Sequence, residues 1–138
     1  MMAEVRDETF AGAMSTPARK RRGRRAYIAG ALAEEQVARY YELRGLQLAH
    51  RRWRGSRGEI DLVLRDGDAV VFVEVKSAPT HARAAESLRP AQVRRIMMTA
   101  QEFLGREPRG ELTEMRLDVA LVDGQGVIEI VENALSDF

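Results

Sequence analysis

The feature that most restricts this chain is a dipeptide, Asp66-Gly67, set between two runs rich in β-branched residues. The runs are Glu59-Ile60-Asp61-Leu62-Val63-Leu64-Arg65 and Asp68-Ala69-Val70-Val71-Phe72-Val73-Glu74-Val75-Lys76. Asp-Gly in such a setting is the strongest short-range signal for a β-hairpin. With Asp66 and Gly67 as the loop, Arg65 opposes Asp68, and Asp61 lies across from Phe72. Side chains alternate between faces with a period of two. One face then holds Ile60, Leu62, Leu64, Val71, Val73 and Val75, all apolar. The other holds Glu59, Asp61, Glu74 and Lys76 at the end away from the turn, joined lower down by Val63, Val70 and Phe72. Apolar residues on both faces mean that both are covered. Asp61 lies diagonal to Glu74, about 7 Å apart at the backbone, so their carboxylates can converge.

Around the hairpin the chain reads as a small α/β body. A helix spans Tyr27 to Arg44, with Gly45 where a left-handed C-terminal cap belongs. Val37, Ala38 and Tyr41 share one arc of it, and Glu35, Arg39 and Glu42 another. Glu34 falls inside the apolar arc, so its carboxylate faces the body. Leu46 to His50 is a short strand leading into a loop, Arg51 to Gly58. Pro90 opens a second helix, whose Val93, Ile96, Met97, Ala100 and Leu104 form the apolar face before Gly105 ends it. Gln92 borders that face, while Arg94 and Arg95 point outward. Met115, Leu117, Val119 and Leu121 alternate as a strand, residues 123–126 turn, and Val127 to Val131 form the last strand. The order α-β-β-β-α-β-β predicts an α/β fold, a central mixed sheet flanked by helices on both faces.

Composition removes several function classes. At 138 residues the chain fits one domain. Hydrophobic residues are 45% and charged residues 31%, a globular balance. No apolar run is longer than Ala69 to Val73, which excludes a membrane span. The absence of cysteine excludes disulfide frameworks, thiolate catalysis, zinc ribbons and iron-sulfur clusters. The net charge of +1 divides unevenly: residues 1–25 carry seven basic and three acidic groups, and residues 26–138 carry 15 basic and 18 acidic. The first stretch, with six cations in Arg19 to Arg25, reads as a flexible arm that either contacts phosphate backbone or is merely solvated. Ala26 to Ala33 imitates a signal peptide but is short and weakly hydrophobic, so a cytoplasmic protein is expected.

Two carboxylates meeting on adjacent strands, with no histidine or thiolate beside them, form a hard-oxygen site suited to Mg²⁺ or Mn²⁺. Lys76, two residues from Glu74 on the same face, is placed to position a water or to stabilise charge developing on phosphorus. Phosphodiester hydrolysis suits that arrangement. The competing reading is a Glu-Lys pair on a solvated sheet face. Arg51, Arg52, Arg54 and Arg57 around Trp53 combine cations with a stacking ring, as nucleic-acid surfaces do. Such a loop can equally be soluble surface, with Trp53 a lid on the core.

Gly58-Glu59-Ile60-Asp61-Leu62-Val63 followed by Val71-Phe72-Val73-Glu74-Val75-Lys76-Ser77 resembles the signature of the YraN-like family of small bacterial proteins. The match runs from about Gly30 to Ala134 and includes Gly30 with Glu34, Gly45, Arg95 with Ala100, and Arg116-Leu117-Asp118-Val119. The motif resembles that of the PD-(D/E)xK nuclease superfamily. By that resemblance the fold is restriction-endonuclease-like, and Asp61, Glu74 and Lys76 are catalytic. Glu34 is the further helix-borne carboxylate, sharing the metal with Asp61 and Glu74. Gln92 and Arg95 join the loop arginines on the nucleic-acid side, although many relatives have lysine where this chain has Gln92. Residues 78–85 also depart from a Gly-rich stretch in the family. The implied activity is a metal-dependent endonuclease acting on DNA. The alternatives are a nucleic-acid-binding module without turnover, or a subunit of a DNA-processing assembly. A small interaction protein that meets no nucleic acid is a third. A homodimer stays open, because cutting a symmetric junction needs a two-fold.

Overall fold

The computed structural model describes residues 17–134, with the side chains of the first helix described at Arg24 and from Ala29 onward. Helix α1 (Pro17–Glu42) is followed by strands β1 (Gln47–Arg54), β2 (Glu59–Asp66) and β3 (Ala69–Ser77). Two helices, α2 (His81–Glu86) and α3 (Pro90–Leu104), then lead through a single 3₁₀ turn at Gly110–Leu112 to β4 (Met115–Val122) and β5 (Ile128–Val131). Residues 1–32 and 33–138 separate into two compact units, and the fold below belongs to the second. Within the expected arm, residues 1–16 lie outside the described residues, while the helix already begins at Pro17 instead of Tyr27. Proline at a first helical position has its φ preset, and the Arg/Lys run after it favours helix.

The five strands lie in the order β1-β2-β3-β4-β5, with β3 and β4 parallel and the other pairs antiparallel. The mixed sheet is covered on both faces. Ala33, Val37, Ala38 and Tyr41 of α1 pack on Leu62, Leu64, Val71, Val73, Ala120 and Val122. On the opposite face Ile96, Ala100, Phe103 and Leu104 of α3 pack on Ile60, Val63, Val70, Phe72 and Leu117. Met97, expected in that face, is exposed, and Thr99 and Phe103 are buried instead. Gly45 takes the left-handed conformation expected after α1, at φ +93°.

The hairpin register differs from the expected one by two residues. Asp66 opposes Ala69, Val63 opposes Phe72, and Leu62 opposes Val73, so Gly67 and Asp68 form the loop. Gly67, at φ +63°, is its first residue, as a type II′ turn requires, whereas a loop of Asp66-Gly67 would have needed type I′. A shift of two leaves each residue on its face, so the sorting of the hairpin survives. Ile60 is the exception, because it packs with the α3 cluster and not with Leu62 and Leu64.

The break in alternation at Ile60 has two neighbours that explain it. The β2–β3 ladder ends at Leu62 and Val73, so β2 is free to turn from β3 beyond that point. Between the β1–β2 pairs Arg51/Leu62 and Trp53/Ile60, Arg52 sits at φ +51°, a left-handed conformation unusual for arginine. Arg51 to Arg54 therefore belong to an edge strand distorted by a shift between Leu48 and His50, and not to the loop expected there; only residues 55–58 turn.

Candidate functional site

The charged end of the hairpin lies at the fork where β2 leaves β3. The next β3 amide on the β2 side, that of Val75, donates to Asp61 Oδ2 at 2.8 Å. A side chain thus takes the ladder position that a strand carbonyl would fill. On β3, Glu74 is 5% exposed and shares a hydrogen bond with Asp61. Gln92, in the first turn of α3, donates its side-chain N–H to Glu74 Oε2 at 2.8 Å. Lys76 Nζ stands 3.5 Å from that oxygen, with its side chain 19% exposed.

Electrostatics follow from this geometry. Burial, and then the nearby Asp61 carboxylate, push Glu74 up to about 8, against the opposing pull of Lys76. Burial also raises Asp61, opposed chiefly by the Val75 N–H. Two carboxylates forced together out of water share a proton, because one lysine and one neutral amide do not offset both charges. Glu34 is raised too, by burial and by Asp61, and lowered by Arg52, whose Nε lies 3.3 Å from Glu34 Oε1.

Among the described residues, no three histidine, aspartate or glutamate side chains gather as a metal-binding group. Asp61 and Glu74 meet, and Glu34, the expected third ligand, is held by Arg52 instead. The pair on its own still fits a hard divalent ion. Mg²⁺ is commonly held by one or two carboxylates, with waters and substrate phosphates completing its shell. A cation between Asp61 and Glu74 would also relieve the repulsion from Asp61 that adds to burial in raising Glu74.

The chain belongs to the uncharacterised protein family UPF0102. The family's model matches residues 33–122, from the α1 segment that carries Glu34 to the end of β4. The UPF0102 protein of Ruegeria pomeroyi is 60% identical over 113 residues, covering 82% of this chain and 92% of its own length. That of Roseobacter denitrificans is 54% identical over 122 residues, 88% of this chain and 95% of its own. This is the YraN-like family that the hairpin signature resembles. Every residue of the fork site lies inside the part that defines UPF0102.

The expected nucleic-acid residues are distributed differently from the sequence reading. Arg51 pairs with Glu35, Arg52 with Glu34, and Arg54 with Glu59 at 2.9 Å. Trp53 lies edge-on to Phe103, with ring centroids 5.2 Å apart, as a lid on the α3 core. Gln92 is turned to Glu74. Arg57 and Arg95 are exposed, and Arg57 Nη1 approaches Met98 Sδ at 3.2 Å.

One buried cluster escaped the sequence reading. Asp118 is fully buried and accepts from Tyr41 Oη at 2.7 Å, from Arg116 Nε at 3.0 and 3.2 Å, and from the Asn133 N–H at 3.0 Å. Its signal was the Arg-x-Asp spacing on the β4 face that also carries Ala120 and Val122, since i and i+2 share a face. Arg65 and Glu107 form a second paired set near the turn, at 2.7 and 3.1 Å.

Proposed function

We propose that this UPF0102 protein is a metal-dependent phosphodiesterase acting on nucleic acid, with DNA as its first substrate class. The observation that carries the reading is the fork itself: the carboxylates of Asp61 and the buried Glu74 meet beside Lys76, fixed by the Val75 N–H and by Gln92. An arrangement that costs stability, with one lysine set against two carboxylates, is the kind retained for chemistry. The ligands would be Asp61 and Glu74, binding Mg²⁺ or Mn²⁺. Such an ion supplies charge neutralisation and a water of lowered pKa.

The chain's own residues do the rest. The Val75 N–H fixes one Asp61 oxygen, and Gln92 fixes Glu74 Oε2, so both carboxylates are oriented before substrate arrives. Lys76 holds the attacking water or a non-bridging phosphate oxygen, and its ammonium offsets charge as it builds there. The water oxygen bonds to phosphorus, the bond to one flanking sugar oxygen breaks, and that oxygen takes up a proton. Glu34, steered by Arg52, is a positioning residue beside Asp61. No helix among the described residues is long and apolar enough to cross a membrane, and a cysteine-free chain suits work in the reducing cytoplasm.

The test is cleavage of labelled single-stranded, duplex and four-way-junction DNA with Mg²⁺ or Mn²⁺. Cleavage by the native chain is expected to fall at least about a hundredfold in Asp61→Ala and Lys76→Ala. Activity no greater than that of Asp61→Ala on every substrate sinks the catalytic reading. Retained DNA binding under that result would favour a binding module without turnover.

A further inference from the structure

The arginines near the fork fall into two sets. On the edge strand, Arg51, Arg52 and Arg54 face Glu35, Glu34 and Glu59, three cations against three carboxylates. On α3 and the loop before β2, Arg57, Arg94 and Arg95 are all exposed, and among the described residues no carboxylate pairs with any of them. Glu102, the nearest acid along α3, is engaged by the Ser56 N–H and hydroxyl and by Arg106.

The unpaired set leads to the site. Gln92, Arg95 and Met98 lie three residues apart along one ridge of α3. Gln92 touches Glu74, and Met98 touches Arg57. Gly58 brings the loop against the same ridge: a methyl group built there would lie 4.0 Å from the Arg95 Cβ and 3.2 Å from Thr99 Oγ1. Loop and helix therefore present their cations together, Arg95 within one helical turn of the Gln92 that touches Glu74 and Arg57, at Met98, within two.

We infer that the nucleic-acid backbone reaches the fork across α3, on Arg57, Arg94 and Arg95, and not along the arginine-rich strand β1. The reason is electrostatic. Binding to a polyanion is driven by release of its counterions, which needs cations carrying net charge. An arginine of β1 that turned to a phosphate would leave its glutamate facing that phosphate. The α3 arginines carry no such partner. This inference rests on the nucleic-acid reading above and assigns the surface that does the binding.

Fluorescence anisotropy with a labelled DNA 20-mer, single-stranded and duplex, tests it in EDTA, where cleavage does not interfere. Affinity is read across a salt series for the native chain, for Arg57→Ala with Arg95→Ala, and for Arg51→Ala with Arg54→Ala. Each lost phosphate contact lowers the slope of log affinity on log salt by about 0.7 to 0.9. The α3 pair is expected to lower it by about 1.4 to 1.8, and the β1 pair to leave it unchanged. Arg57→Lys with Arg95→Lys keeps both cations and should keep the slope, which separates lost contacts from lost folding. Equal losses from the two alanine pairs, or a larger loss from the β1 pair, overturn this inference alone. No measurable DNA binding by the native chain overturns it together with the reading it rests on.

Discussion

Two buried carboxylates sit on neighbouring parallel strands and are treated in opposite ways. Glu74 of β3 pairs in register with Val119, and Asp118, one residue earlier in β4, pairs with Val73. Asp118 faces α1 and is surrounded by donors: a guanidinium, a phenol and a backbone amide. Glu74 faces α3 and has one amide, a lysine at 3.5 Å and a second carboxylate. Depth is similar, and satisfaction is not. A buried charge with a full set of partners is a structural element; one left short of partners costs stability that packing does not return.

Asp118→Ala is the largest break in that comparison. It leaves Arg116, Tyr41 Oη and the Asn133 N–H without their acceptor, and stability should fall by about 3 to 5 kcal/mol in chemical denaturation. Such a loss is a large share of what a domain of this size holds. Glu74→Gln should move the other way. At pH 8 without metal it should raise stability by about 1 to 3 kcal/mol, and in Mg²⁺ or Mn²⁺ it should abolish cleavage. If it destabilises as Asp118→Ala does, Glu74 is structural as well and the contrast disappears.

The pH profile sharpens the same contrast. Glu74 keeps its proton in the folded protein up to about 8, while the unfolded chain loses it near 4.5. Between those values the native state binds the extra proton, so native stability should decline as pH rises, and Asp61 adds in the same direction. Melting temperatures from pH 5 to pH 8 in EDTA should fall for the native chain and fall less for Glu74→Gln. The smallest effect belongs to the surface: Arg51→Ala removes an exposed pair with Glu35 and should cost about 0.2 to 1 kcal/mol.

The hairpin could be read from the sequence because its alternation is strong and its turn is marked by glycine. Which face each residue takes, Ile60 excepted, survived a register error, since two-residue loops that differ by one position shift the pairing by two. The position of Glu74 opposite Asp61 depended on whether Gly67 was first or second in the loop, and the dipeptide alone does not decide that. The arginines around Trp53 were less legible for a different reason. Four cations around a tryptophan look like one surface until their partners are known, and the carboxylates that pair with Arg51, Arg52 and Arg54, but not with Arg57, come from α1 and β2. Asp118 was hidden because its partners come from α1 and from beyond β5.

The Val75 amide donates to a carboxylate where the strand pair has ended. That makes it a built-in spectroscopic probe. Its ¹⁵N–¹H resonance should shift when Asp61 gains or loses a proton, or when a divalent cation takes the proton's place, while that of Val73, inside the ladder, stays still. Titrating one cross-peak against another would read the state of the site directly, without any need for turnover.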